Sequence, residues 1–146
     1  MFKFLHIICG TIFLGISIAE FFYIARSIHS SDRTIIDYSI KVSYFGDGAA
    51  FLCMLVLLIT AARLVSVGHF TLAVSWIFVA YLAFGTIILL WLSNLFIKQL
   101  YFSKTNISPY AVRAFYFTNI TMLLIFIIII HDAVTQSTWF HFLFRR

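Results

Sequence analysis

Charge is scarce in this chain: of 146 residues, 10% are Asp, Glu, Lys or Arg and 63% are hydrophobic. A soluble domain of that size needs more polar surface than this to stay dispersed in water. Proline is nearly absent, Pro109 being the single example, which argues against a loop-rich fold and suits long unbroken helices. Basic clusters are missing too. The net charge is +5, yet no run of Lys or Arg occurs beyond Arg145-Arg146, so the charge makes no nucleic-acid footprint and reads as membrane topology. The two cysteines, Cys9 and Cys53, sit in apolar runs without CxxC or CxxCH spacing. That excludes a thioredoxin-type centre and covalent haem attachment, and leaves both as small hydrophobes. A Gly-rich phosphate loop, a Ser/His/Asp order and zinc-protease spacing are also lacking.

Long apolar runs are what the sequence has instead. They cover about 4–25, 45–62, 70–97 and 111–130, each near the ~20 residues that cross a hydrocarbon core of ~30 Å. A backbone in lipid must satisfy its own hydrogen bonds, which helices do. Runs such as Ile127-Ile128-Ile129-Ile130 do not alternate as barrel strands would. The expected fold is therefore all-α: a single domain over 1–146, forming an antiparallel bundle of four transmembrane helices in a lipid bilayer. The first segment starts like a secretory signal but stays apolar through Ile24, a spanning length that predicts retention.

The gaps carry the polar residues. Between Ser27 and Ser43 a short interfacial helix is expected over 34–40; Ser66–His69 reads as a tight turn at Gly68, and Pro109 is placed to open the fourth helix. The tail 132–146 alternates aromatic and polar residues and reads as an amphipathic interfacial segment. Four crossings put both termini on one side. The opposite loops collect Arg26, Arg33, Lys41, Lys98, Lys104 and Arg113 against Lys3, Arg63, Arg145 and Arg146, which favours cytoplasmic loops and periplasmic termini in a multi-pass protein of a bacterial inner membrane. Small residues at Thr11, Gly15 and Ala19, and at Gly46, Gly48, Ala49 and Ala50, predict close helix packing.

Ionisable groups inside a membrane are costly and so mark candidate functional sites. His6 and Glu20 share one stripe of the first helix with Gly10, Phe13 and Ser17, separated by roughly 21 Å of rise. Gly10 leaves a gap one turn from His6 where a flat ring could lie. His131 and Arg113 share a face of the fourth helix. Facing stripes would bring His6 to His131 on the terminal side and Glu20 toward Arg113 on the loop side. His69 and Arg63 also belong to the terminal side. Imidazoles are axial ligands of b-type haem and common metal ligands. The candidate ligands are accordingly His6 and His131 for haem b, with Arg63 and Lys3 for its propionates, or His6, His131 and His69 for a metal ion. Glu20 and Asp47 are candidates for proton handling. Asp47 reads equally well as a carboxylate at a helix start. Asn119 and Thr121 read as hydrogen-bonding glue between helices.

Phe4-Leu5-His6-Ile7-Ile8, Gly15, Phe21-Phe22-Tyr23, Arg26 and His29, followed by Asp47, Trp91 and Arg113, resemble a family of small bacterial four-helix membrane proteins of unknown function. That family is similar to HemJ-type protoporphyrinogen oxidases and CopD-like membrane domains. The resemblance to HemJ-type oxidases implies haem b on a first-helix histidine, matched by His6, and the oxidation of a porphyrinogen. More broadly, haem b in this chain points to an oxidoreductase or electron carrier with a lipophilic substrate, a quinone or a porphyrin-like molecule. This chain departs from the HemJ-type pattern, with no charge in the third helix before Lys98 and with His131-Asp132 closing the fourth. The CopD side implies copper-type metal transport or binding, though the methionines are only Met1, Met54 and Met122. A cofactor-free structural or assembly subunit, and a homo-oligomer, are further readings.

Overall fold

A computed structural model describes residues 1–30, 32–69, 74–102 and 108–135. Within them the chain forms four helices and no strand: α1 (Phe2–Ser30), α2 (Arg33–Val67), α3 (Ser75–Ile97) and α4 (Pro109–Thr135), with a turn of π-helix over Lys98–Phe102. All four are long and apolar enough to cross a membrane, so the protein is an all-α bundle of four membrane-spanning helices. Pro109 opens α4 as expected. Tail residues 136–146 lie outside the described residues, and 132–135 continue α4.

The helices outrun their apolar segments most clearly at the first hairpin. Apart from residues 31–32 between them, the polar stretch from 27 to 43 is helical: 27–30 close α1 and 33–43 open α2, so the interfacial helix expected over 34–40 is part of α2. Ser27, Ser39 and Ser43 each donate to a carbonyl one turn back on their own helix, which satisfies those three hydroxyl protons within the helices. Asp32 then caps α2, its Oδ1 accepting from the Thr34 N–H at 2.8 Å. Arg33 and Asp37 pair at 2.8 Å across one exposed turn. The far end of α2 stops at Gly68, but the residue in the left-handed region is His69, at φ 53°, while Gly68 itself has φ −78°. His69 thus serves the geometry usually given to glycine after a helix.

α1 and α2 pack antiparallel in a fixed register. The residue numbers of His6–Thr60, of Glu20–Gly46 and of Ser27–Ser39 all add to 66. Because lipid tails remove the hydrophobic drive between helices, polar contacts and close approach must specify such a register. Gly46 supplies the close approach: a Cβ there would stand 3.0 Å from Glu20 Oε1 and 3.3 Å from Ile16 Cγ2. The stripe of Thr11, Gly15 and Ala19 does not take this part. All three are exposed, and a Cβ on Gly15 would meet nothing within 4 Å. α3 and α4 form the second hairpin, joined where Asn94 Oδ1 accepts from Thr118 Oγ1 and, at 3.2 Å, from Asn119 Nδ2. Asn119 is therefore glue between helices as expected, with Thr118 rather than Thr121 beside it. The hairpins meet through α1 and α4, whose rings pair in reverse order: Phe13 on Phe126 at 5.3 Å and Phe21 on Phe115 at 6.3 Å.

Exposed charges mark the bilayer. Lys3 and Arg26 bound an uncharged outer surface on α1, and Lys41 and Arg63 bound one on α2. The interval from Lys41 to Arg63 is about 33 Å of helix, close to a hydrocarbon thickness of ~30 Å. The apolar segments expected over 4–25 and 45–62 are thus the lipid-embedded parts of longer helices, and the start of α2 projects beyond them. Inside, Phe13, Ala50, Met54, Leu57, Ile87, Met122 and Phe126 form a central apolar cluster. A second cluster of Ile24, Ile36, Ile40, Phe102, Ala111 and Phe115 lies toward the loop side.

Candidate functional site

Two groups of polar side chains stand on opposite sides of the central cluster. On the terminal side, the His6 ring is half-buried against α2, with Nδ1 2.8 Å from Thr60 Oγ1. Thr60 Oγ1 also lies 2.7 Å from the Val56 carbonyl. With the Thr60 proton on that carbonyl, its oxygen accepts from His6 Nδ1–H, the tautomer in which Nε2 keeps a lone pair for a ligand. His6 lines a cavity of about 510 Å³ together with Gly10, Leu57, Tyr81, Phe126 and Ile130, so that all four helices contribute. The lining is almost wholly apolar, and the volume is that of a small-molecule site. The gap expected beside Gly10 is therefore part of this cavity.

The other terminal-side candidates are arranged differently from the expectation. The α1–α4 ring pairs put His6 level with the stretch that holds His131, and Ile129, Ile130, Ala133 and Val134 line the cavity. His131 does not line it. Its Nδ1 lies 3.1 Å from Oδ1 of the fully buried Asp132. His69 is exposed in the turn after α2, and Arg63 is exposed on the same register as Lys3, one turn beyond the His6–Thr60 pair. Among the described residues no group of three or more His, Cys, Asp or Glu side chains could hold a metal ion. His6, His69 and His131 thus share a membrane face without forming a three-ligand centre, because each is committed to a different local partner or turn.

On the loop side, Lys98 is 1% exposed and its ammonium bonds Asp47 Oδ2, with Glu20 Oε2 3.5 Å away. The expected approach of Glu20 to Arg113 does not occur: Arg113 is exposed, and Lys98 takes its place. The π-helical turn begins at Lys98, a feature frequent at functional sites. Asp47 is 5% exposed and lies four turns into α2, so the reading as a helix-start carboxylate is ruled out. Glu20 Oε1 and Asp47 Oδ1 are buried without hydrogen-bond partners, and the Trp91 indole N–H faces Asp47 outside hydrogen-bond geometry. Trp91 stacks on Phe51 at 6.2 Å, closing α3 onto α2 beside the triad.

Lys98 was the functional residue least visible in the sequence, since it falls where a boundary lysine would. Its signal is the stripe Trp91, Asn94 and Lys98 at helical spacing, together with two intramembrane carboxylates that need a cation at their own depth. Thr60 and Asp132 gave no signal of this kind.

Fold and site together define a polytopic membrane protein: a four-helix bundle with an apolar, histidine-walled cavity near one face and a buried ion triad near the other. No protein-family model, curated protein or solved structure matches the chain.

Proposed function

We propose that the chain is a b-type haem protein of a bacterial inner membrane, with redox or oxidase activity on a lipophilic substrate and with its termini on the periplasmic side. The observation that carries this reading is the His6 imidazole on the wall of an apolar cavity, engaged through Nδ1 by Thr60 so that Nε2 is the nitrogen left for a ligand. Haem b needs an axial donor, which an imidazole can supply, a dry slot for a flat ring and cations for its propionates. His6 Nε2 is the donor, Gly10 and the surrounding aliphatic side chains supply the slot, and Arg63 and Lys3 stand one turn outward as the cations. Among the described lining residues His6 is the one imidazole, so a single axial protein ligand fits this chain better than the pair of His6 and His131. When bound, the group would supply one-electron chemistry. The chain's own part is to orient the ligand through Thr60, exclude water with the cavity walls and hold charge at the mouth.

Protein purified from haem-supplemented cells should show a Soret band. His6→Ala should abolish it, and Thr60→Val, which removes the hydrogen bond that orients the ring, should weaken haem retention by about 10–100-fold. A colourless preparation overturns the haem reading. If such a preparation yields a quinone on solvent extraction, and His6→Ala loses it, the cavity serves a quinone instead.

A further inference from the structure

The Glu20–Asp47–Lys98 triad has an uneven charge. Two carboxylates share one ammonium, so with every group ionised it carries one net negative charge inside the low-dielectric bundle. Such a charge is expensive in a membrane interior. Two carboxylate oxygens, Glu20 Oε1 and Asp47 Oδ1, are buried and take no hydrogen bond. Apolar side chains close the site on both sides along the helices. Toward the loops, the face of α2 that carries Asp47 continues through Ser43 and Ser39, all three buried and spaced at four residues, and Ser39 meets Ser27 of α1. Those hydroxyls are the polar groups that thread the loop-side cluster. The charged and titratable groups around the triad are Glu20 from α1, Asp47 and Tyr44 from α2 and Lys98 at the end of α3. α4 brings Tyr116, which packs on Phe21 and Phe115, and the exposed Arg113.

We propose that this triad is a proton-binding site, loaded from the loop side past Ser39 and Ser43, that takes up one proton on a Glu20 or Asp47 oxygen. The proton arrives from the loop-side solution as hydronium: one O–H bond forms on the carboxylate as one breaks in the hydronium, which leaves as water, and no electron moves. The net charge of the site goes from −1 to zero, and Lys98 then pairs with the carboxylate that remains ionised. The inference stands independently of the His6 reading.

Infrared difference spectroscopy of the full chain in lipid nanodiscs tests it, with proton uptake measured in parallel. The wild type should show a protonated-carboxyl band that fades as the pH is raised, with one proton exchanged. Glu20→Gln and Asp47→Asn should each abolish the band and stay folded, because each leaves one carboxylate opposite Lys98. Lys98→Met should raise the uptake to two protons; should that variant fail to fold, the two amide variants decide alone. Ser43→Val should slow the response to a pH jump without moving its midpoint. His6→Ala should leave the band unchanged, which separates this site from the cavity. A wild-type spectrum indifferent to pH, or a band that survives in the double variant with both amide substitutions, overturns the proposal.

Discussion

Gly15→Ala and Gly46→Ala are the same chemical change in opposite surroundings. At Gly15 the added methyl meets nothing within 4 Å, so the variant should be stabler by up to about 1 kcal/mol, the usual helical advantage of alanine. At Gly46 the methyl arrives 3.0 Å from Glu20 Oε1 and 3.3 Å from Ile16 Cγ2, so the carboxyl beside Lys98 must give by a few tenths of an ångström. That variant should lose the advantage, and its carboxyl infrared band should shift. Unfolding in mixed detergent micelles measures the first effect and infrared spectroscopy the second. Asn94→Leu should cost roughly 0.6–1.7 kcal/mol, from the average to the largest value for a hydrogen bond between membrane helices, because the Thr118 hydroxyl can turn to the Ala114 carbonyl and Asn119 keeps its bond to the Phe115 carbonyl. At this scale the inward stripe of α1 was readable: His6, Phe13, Ser17 and Glu20 follow from helical spacing, and Phe13 and Ser17 are buried as that spacing requires. The partners were not. Which cation answers Glu20 depends on how α3 is rotated about its axis, and the almost uniformly apolar α3 marks that rotation weakly, through Trp91, Asn94 and Lys98 near its end.

Both ends of α2 carry a particular device, and each yields a prediction. His69 takes a left-handed backbone without being glycine, a conformation that costs a side-chain-bearing residue roughly 1 kcal/mol. His69→Gly should therefore raise the unfolding midpoint and leave any cavity-dependent absorbance untouched. Asp32 caps α2 through the Thr34 N–H, and Asp32→Ala should lower stability by about 1 kcal/mol, read in the same unfolding experiment. The number and order of helices were legible in the sequence because apolar length is set by the bilayer. Their ends were less so at the first hairpin. Hydropathy reports where lipid begins, whereas the helix continues until its carbonyls and amides find other partners, which here happens at Ser30 and Asp32 rather than at Ala25 and Phe45.

For the molecule as a whole, the belts of exposed charge predict the accessible faces. In a chain with Cys9 and Cys53 replaced by serine, Arg26→Cys and Lys41→Cys should react with a membrane-impermeant thiol reagent from one side. Lys3→Cys and Arg63→Cys should react from the other. Lys98→Cys should stay unreactive from both, because Lys98 is enclosed between α1, α2 and α3. That enclosure also withdraws Lys98 from the count that orients the protein. The loop-side excess then rests on Arg26, Arg33, Lys41, Lys104 and Arg113, and adding a lysine near either terminus should suffice to produce a mixed orientation.

The stacked Phe13 and Phe126 rings and the methionines packed around them lie between the triad and the terminal face. Asp47 is six residues inside Lys41, about 9 Å and thus roughly a quarter of the way through the slab. An electric potential imposed across the bilayer drops mainly over the insulating remainder. A proton settling on the triad from the loop side therefore crosses only about that fraction of the field, roughly 0.6 kcal/mol per 100 mV. Its occupancy should follow the acidity of the loop-side compartment, and 100 mV across the membrane should move its midpoint by only about 0.4 pH unit.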